Sequence, residues 1–157
     1  MPLTTRGKAV ALNLARVGHS YPAYAYEVGR EKVKEYVAAT GGDPSPYVLS
    51  AGGDASDPAA LVAPPTFAAC FTIAQLDVLL DDPELDAHPN LVHNSQSFQL
   101  HSPIRIGETL VCTPTVADIT DRGRMELLTL AIDCVDQGGD LVVTSSSTII
   151  FFTQEGA

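Results

Sequence analysis

The sequence predicts an α+β domain in which a curved antiparallel sheet packs on one long apolar central helix. Three observations point there. The C-terminal half holds four segments rich in β-branched and aromatic residues, with tight turn signals between them. A run near the middle of the chain is apolar on nearly every face of a helix, as buried helices are. Helix and strands are also segregated along the chain and do not alternate, which selects α+β over α/β.

Each element has its own signal. Residues 1–17 read as a lead-in, with a helical turn or two around Lys8 to Arg16, and residues 18–157 as a single domain. Tyr24 to Val28 reads as a short strand. Gly29 to Thr40 reads as a helix, with Val33, Tyr36, Val37 and Thr40 at i, i+3, i+4 and i+7. Gly41-Gly42 stops it, since glycine takes the left-handed turn that ends helices. Residues 41–64 form a long loop rich in Gly, Pro, Asp and Ser, of a length usually reserved for function. Pro64-Pro65-Thr66 opens the apolar helix, roughly Phe67 to Leu80, and Asp81-Asp82-Pro83 closes it. The strands Leu91 to His101, Glu108 to Thr120, Met125 to Asp136 and Leu141 to Thr153 follow as an antiparallel meander. Asp121-Arg122-Gly123-Arg124 and Gln137-Gly138-Gly139-Asp140 are its hairpin signals, and Pro114 marks an edge or a bulge.

Composition narrows the function. With 157 residues, 45% of them hydrophobic, the chain suits one globular domain. A net charge of −10 argues against nucleic acid. Residues 1–40 nevertheless hold six of the nine basic side chains and net +3, a local basic face suited to an anionic ligand. Cys70, Cys112 and Cys134 are odd in number and widely spaced, so neither a disulfide framework nor a zinc site is expected, and a cytoplasmic setting is. No cofactor and no membrane span are expected: Leu61 to Leu80 carries Thr66, Thr72, Gln75 and Asp77.

Four segments carry a resemblance: Tyr26 to Val33, Ala63 to Phe67, Leu91 to Phe98, and Ser102 to Leu110. In order and spacing they resemble the MaoC-like dehydratases of the hot-dog superfamily. The likeness extends to the (3R)-hydroxyacyl-acyl-carrier-protein dehydratase subunits of actinobacteria, and covers roughly residues 18–153. It implies a hot-dog fold and an acyl thioester substrate on acyl carrier protein or coenzyme A.

The hydratase signature of that family runs Gly-Asp-x-Asn-Pro-x-His. The chain matches it at Gly42, Asp43 and Pro46, with Ser45 in place of the asparagine and Val48 in place of the histidine. In catalytic members the aspartate and histidine work together on the water that is added or removed. Valine moves no proton. Asp43 is therefore a candidate catalytic residue without its partner, or an ordinary turn residue. The resemblance also implies a way to complete the site. In some family members two different hot-dog subunits pair, one bearing the Asp–His loop and the other holding the acyl chain. A homodimer and a heterodimer both stay open.

Pro65, Thr66 and Phe67 are candidate substrate-lining residues, since a helix N-terminus favours the charge that develops on a thioester carbonyl; the other reading is that they merely start a core helix. His93 is a further substrate-lining candidate. In a regular strand Leu91 to His101, parity points it away from Phe98 and Leu100. No metal ligand set is present: His19, His88 and His101 lack suitable spacing with Asp or Glu. Asp77, late in the central helix, is the acid a hot-dog thioesterase would use. The remaining alternative is a homodimeric acyl-binding protein without catalysis.

Overall fold

The computed structural model describes residues 11–45 and 62–152. Its five strands lie where the alternation places them. They are β1 (Tyr24–Glu27), β2 (Leu91–Leu100), β3 (Thr109–Asp121), β4 (Met125–Val135) and β5 (Leu141–Phe152). Helix α1 spans Arg30–Ala39 and buries Val33 and Val37. Gly41, at φ +80, ends it as predicted, and its N–H donates to the Ala38 carbonyl.

The sheet is antiparallel, in the order β1-β3-β4-β5-β2. Both hairpins are made by aspartate. Asp121 Oδ1 accepts from Gly123 N at 2.7 Å, and Asp136 Oδ1 accepts from Gly138 N and Asp140 N at 2.8 and 2.9 Å. The expected four-strand meander is corrected at its start. β2 does not pair with β3; it crosses to the far edge and pairs with β5, Phe98 opposite Ser145. The connection from 101 to 108 has no two-residue turn chemistry, so nothing local forces β2 beside its successor.

Pro114 sits inside β3 at a tolerated place. Its carbonyl accepts from Tyr21 N at 2.8 Å, so its nitrogen also faces the 18–21 segment, where the β3–β4 ladder needs no donor. One face of the sheet is apolar, with Leu110, Val116, Leu128, Leu130, Ile132, Ile149 and Phe151 each at most 1% exposed.

The central helix is the second correction. It is three short pieces: a 3₁₀ turn Pro65–Ala68, an α-helical turn α2 (Ala69–Thr72), and a 3₁₀ run Ile73–Leu79. Thr72 accounts for the break. Its hydroxyl bonds back to the Ala68 carbonyl at 2.9 Å, a contact that bends helices. Nor is the stretch buried all round. Phe67, Ala68, Phe71, Thr72 and Leu79 face the sheet, whereas Ala69, Cys70, Ile73, Leu76 and Val78 are half-buried and Ala74 and Leu80 are exposed. An apolar flank thus faces away from the sheet this chain provides.

The lead-in is tied down in two places. Both carboxylate oxygens of buried Glu126 accept from Leu12 N, at 3.1 and 3.0 Å. Arg16 reaches Asp82 with Nε at 3.0 Å and Nη2 at 2.8 Å, and Glu84 with Nη1 at 2.6 Å.

Candidate functional site

Asp43 follows the glycines that end α1, and both its oxygens are engaged. Ser45 N donates to Oδ1 at 2.9 Å and the Ser45 hydroxyl to Oδ2 at 2.7 Å. The Ser45 hydroxyl and N–H hold the exposed Asp43 carboxyl below the usual range, so it stays ionised. This is an aspartate closing its own turn. Pro46 and Val48, the remainder of the signature, lie outside the described residues, as does most of the 41–64 loop.

Pro65, Thr66 and Phe67 share one turn but not one environment. Pro65 and Thr66 are exposed, and Phe67 is fully buried. The ring of Phe67 meets Tyr36 edge-on at 5.5 Å and lies 6.4 Å from Tyr26 and 6.1 Å from Phe71; Tyr26 stacks on Phe71 at 4.6 Å. Phe67 is thus a core residue, whereas Pro65 and Thr66 are open to solvent. The helix dipole expected here is weak, because the first turn is four residues of 3₁₀ geometry starting on a proline with no N–H. A side chain offers the better donor. The Tyr36 hydroxyl donates to Thr66 Oγ1 at 2.8 Å, which leaves the Thr66 proton free to point outward.

His93 is on exposed edge strand β2, its Nε2 3.1 Å from the Ser95 carbonyl. The parity expectation for it fails. A bulge lies between His93 and Ser95, His93 sits opposite Ile149, and Phe98 sits opposite Ser145. The extra residue moves His93 onto the same face as Phe98 and Leu100.

A polar relay that the sequence reading missed runs beneath this face. Gln96 Nε2 donates to Ser145 Oγ at 2.7 Å, and the Ser147 hydroxyl donates to Gln96 Oε1 at 2.5 Å. The Ser145 hydroxyl donates to Thr72 Oγ1 at 3.0 Å, and Thr72 to the Ala68 carbonyl. Ser145 and Ser147 are at most 1% exposed. Their signal was available: both occupy core-parity positions of β5 between Val143 and Ile149.

Of the basic residues expected to form a face, Arg6 and Lys8 lie outside the described residues, and Arg16 is committed to Asp82 and Glu84. Lys32 and Lys34 of α1 carry exposed i,i+3 pairs with Glu35 and Glu31. A cleft of about 280 Å³, lined by Arg16, His19, Tyr21, Val78 and Asp82, lies at the other end of the helical stretch from Thr66. Asp77 is exposed there. His88 is 9% exposed, stands edge-on to Phe151 at 5.6 Å, and has no hydrogen-bond partner for either ring nitrogen among the described residues. Among the described residues no group of three or more His, Cys, Asp or Glu is arranged to hold a metal ion, and no helix is long and apolar enough to cross a membrane.

A helical stretch lying on a curved antiparallel sheet of this order is the hot-dog architecture, and the comparisons agree. Solved structures with the fold include the truncated HadBC (3R)-hydroxyacyl-ACP dehydratase complex of Mycobacterium tuberculosis. It is 24% identical, with a TM-score of 0.68, over 86% of this chain and 96% of that one. A MaoC-like dehydratase is 28% identical, with a TM-score of 0.71, over 88% of this chain and 43% of that one. The chain belongs to the family described as the FAS1-like dehydratase domain region, whose model matches residues 15–145. Among its relatives, a UPF0336 protein of Streptomyces griseus is 33% identical over 94% of this chain and 100% of its own length. One of Saccharopolyspora erythraea is 35% identical over 88% of this chain and 90% of its own.

Proposed function

We propose that this chain is the substrate-holding subunit of a (3R)-hydroxyacyl thioester dehydratase of the hydratase 2 type, completed by a second hot-dog subunit that carries an aspartate and a histidine. The observation that carries the reading is the state of the signature loop. Asp43 is spent on Ser45, and the position that would pair with it is Val48. Dehydration needs a base for the proton next to the thioester and an acid for the departing hydroxyl. In this chain the one carboxylate there is held in its own turn, and valine stands where the histidine would be.

What it offers is binding. The thioester carbonyl gains negative charge as the proton leaves, and the Thr66 hydroxyl, fixed by Tyr36, is a donor for it. The half-buried apolar flank of the helical stretch and edge strand β2 support a partner. β2 has no proline and no charged residue among its ten, so beyond its single bulge little blunts the edge. The HadBC and ChsH1–ChsH2 structures of Mycobacterium tuberculosis are complexes by description. The substrate is an acyl chain on acyl carrier protein or coenzyme A, in the cytoplasm. Exposed ion pairs are weak, so Lys32 and Lys34 can exchange their glutamates for carrier phosphate.

The test is hydratase turnover of enoyl-coenzyme A by the purified chain alone and mixed with a hot-dog partner bearing the intact signature. The chain alone is expected to be silent and the mixture active. Vigorous turnover by the chain alone overturns the proposal. Co-purified acyl thioester with no turnover in any pairing replaces it with a homodimeric acyl-binding protein.

A further inference from the structure

We propose that Cys112 and Cys134 form a redox-responsive pair that closes a cross-strand disulfide between β3 and β4 when the protein meets a peroxide. The two residues are directly opposite in the β3–β4 register, both are fully buried, and both are free thiols here.

The kind of register position decides the distance. The Pro114 carbonyl accepts from Tyr21 N, Val116 N donates to the His19 carbonyl, and Gly18 N donates to the Val116 carbonyl. Residues 114 and 116 therefore turn their backbone groups toward the 18–21 segment, on the β1 side of β3. Backbone direction alternates along a strand, so Cys112 turns the same way, toward Tyr24 of β1. The Cys112–Cys134 pair consequently exchanges no backbone hydrogen bonds. Such pairs have Cα atoms about 4.5 Å apart with close side chains, at the short end of the roughly 4.4–6.8 Å that a disulfide spans. The bond can close without moving the strands far, yet it closes under strain. Strained disulfides reduce readily, which makes this pair a reversible device and not a structural staple.

The chemistry has a direction. The hydrogen bond from Cys134 pulls the Cys112 thiol below its ordinary range, against burial. Cys134 is pushed up by the same contact and by burial. Cys112 is thus the attacking sulfur. Its thiolate attacks one peroxide oxygen, the O–O bond breaks, and the leaving hydroxide takes up the thiol proton as water. The Cys134 sulfur then attacks the sulfenic sulfur, S–S forms, S–O breaks, and a second water leaves with the Cys134 proton. Two thiols lose two electrons and one peroxide gains them.

Access comes through β1, a four-residue edge strand and, among the described residues, the strand that covers β3 on that side. Its opening also releases the bond from the Tyr24 hydroxyl to the Phe71 carbonyl, 2.6 Å, so the pair reports on the seating of α2.

The experiment treats the whole protein with hydrogen peroxide, blocks remaining thiols after unfolding, and maps peptides without reductant. The expected product joins the Cys112 and Cys134 peptides, forms equally in Cys70→Ser, and disappears on treatment with dithiothreitol. Both thiols remaining alkylatable after Cys70 is fully oxidised overturns the proposal. So does a linked peptide that includes Cys70 in preference to either. The linkage is read on the wild type, so no core variant needs to fold.

Discussion

Phe67→Ala is expected to lower the free energy of unfolding by about 3–5 kcal/mol. Phe67 is fully buried at the point where the helical stretch, α1 and β1 meet. Its ring contacts three others, Tyr26, Tyr36 and Phe71. Truncation removes apolar area and leaves a cavity that these rigid rings cannot close. Aromatic pairing lost with the ring adds to the cost. The measurement is urea unfolding followed by tyrosine fluorescence. Phe67→Leu, which keeps much of the volume, should recover about half of the loss or more. A cost near that of a surface substitution would mean that the aromatic cluster is not the core of this end of the fold.

Asp82→Ala is expected to cost about 3 kcal/mol or more, as breaking a buried ion pair does. Asp82 is 8% exposed and serves four donors at once: Arg16 Nε and Nη2, the Tyr21 hydroxyl at 2.9 Å, and Glu84 N at 2.9 Å. Removing it strands the Tyr21 hydroxyl in the core and leaves Arg16 with only the exposed Glu84. The same site sets the acid limb. Burial alone would raise the Asp82 carboxyl, but the Glu84 N–H, the Tyr21 hydroxyl and Arg16 outweigh it and hold the group below its ordinary value. A carboxyl depressed in the folded state stabilises fully above its unfolded pKa, about 3.9. That contribution is lost as pH falls through the lower folded value. Urea midpoints should therefore fall steeply below about pH 4 in the wild type. They should fall less in Asp82→Asn, and equal slopes would remove Asp82 from the acid response.

The strands were legible because one face of the sheet is solvated and the other is not, so every strand from β3 to β5 alternates. Helix α1 was legible for the same reason, with Val33 and Val37 on a single stripe. The position of β2 was not legible, since strand order depends on contacts far apart in sequence and the 101–108 link carries no turn signal. The bulge at His93 was invisible for a similar reason. One inserted residue is defined only by the register of the partner strand, and it reversed the side on which His93 was placed. The central run read as buried all round because composition does not say who does the burying. Its outward flank is apolar without being covered by this chain's own sheet. At the candidate site, Thr66 was singled out by its place at the start of the helical run, but the Tyr36 hydroxyl that orients it lies 30 residues earlier in sequence. The Gln96–Ser145–Thr72 relay joins three elements and was hinted at only by two serines at core parity.

The central claim is that the proton-transferring pair comes from the partner and that Asp43 of this chain shapes a turn. The most direct measurement is kcat of the reconstituted complex with Asp43→Asn in this chain, beside the same substitution in the partner's signature loop. Asparagine keeps an oxygen for the Ser45 N–H, so the turn should survive. The account predicts turnover close to wild type for Asp43→Asn and a fall of about 10²-fold or more for the partner variant. A fall of that size on Asp43→Asn, with the complex still assembled, would contradict it and return the catalytic carboxylate to this chain.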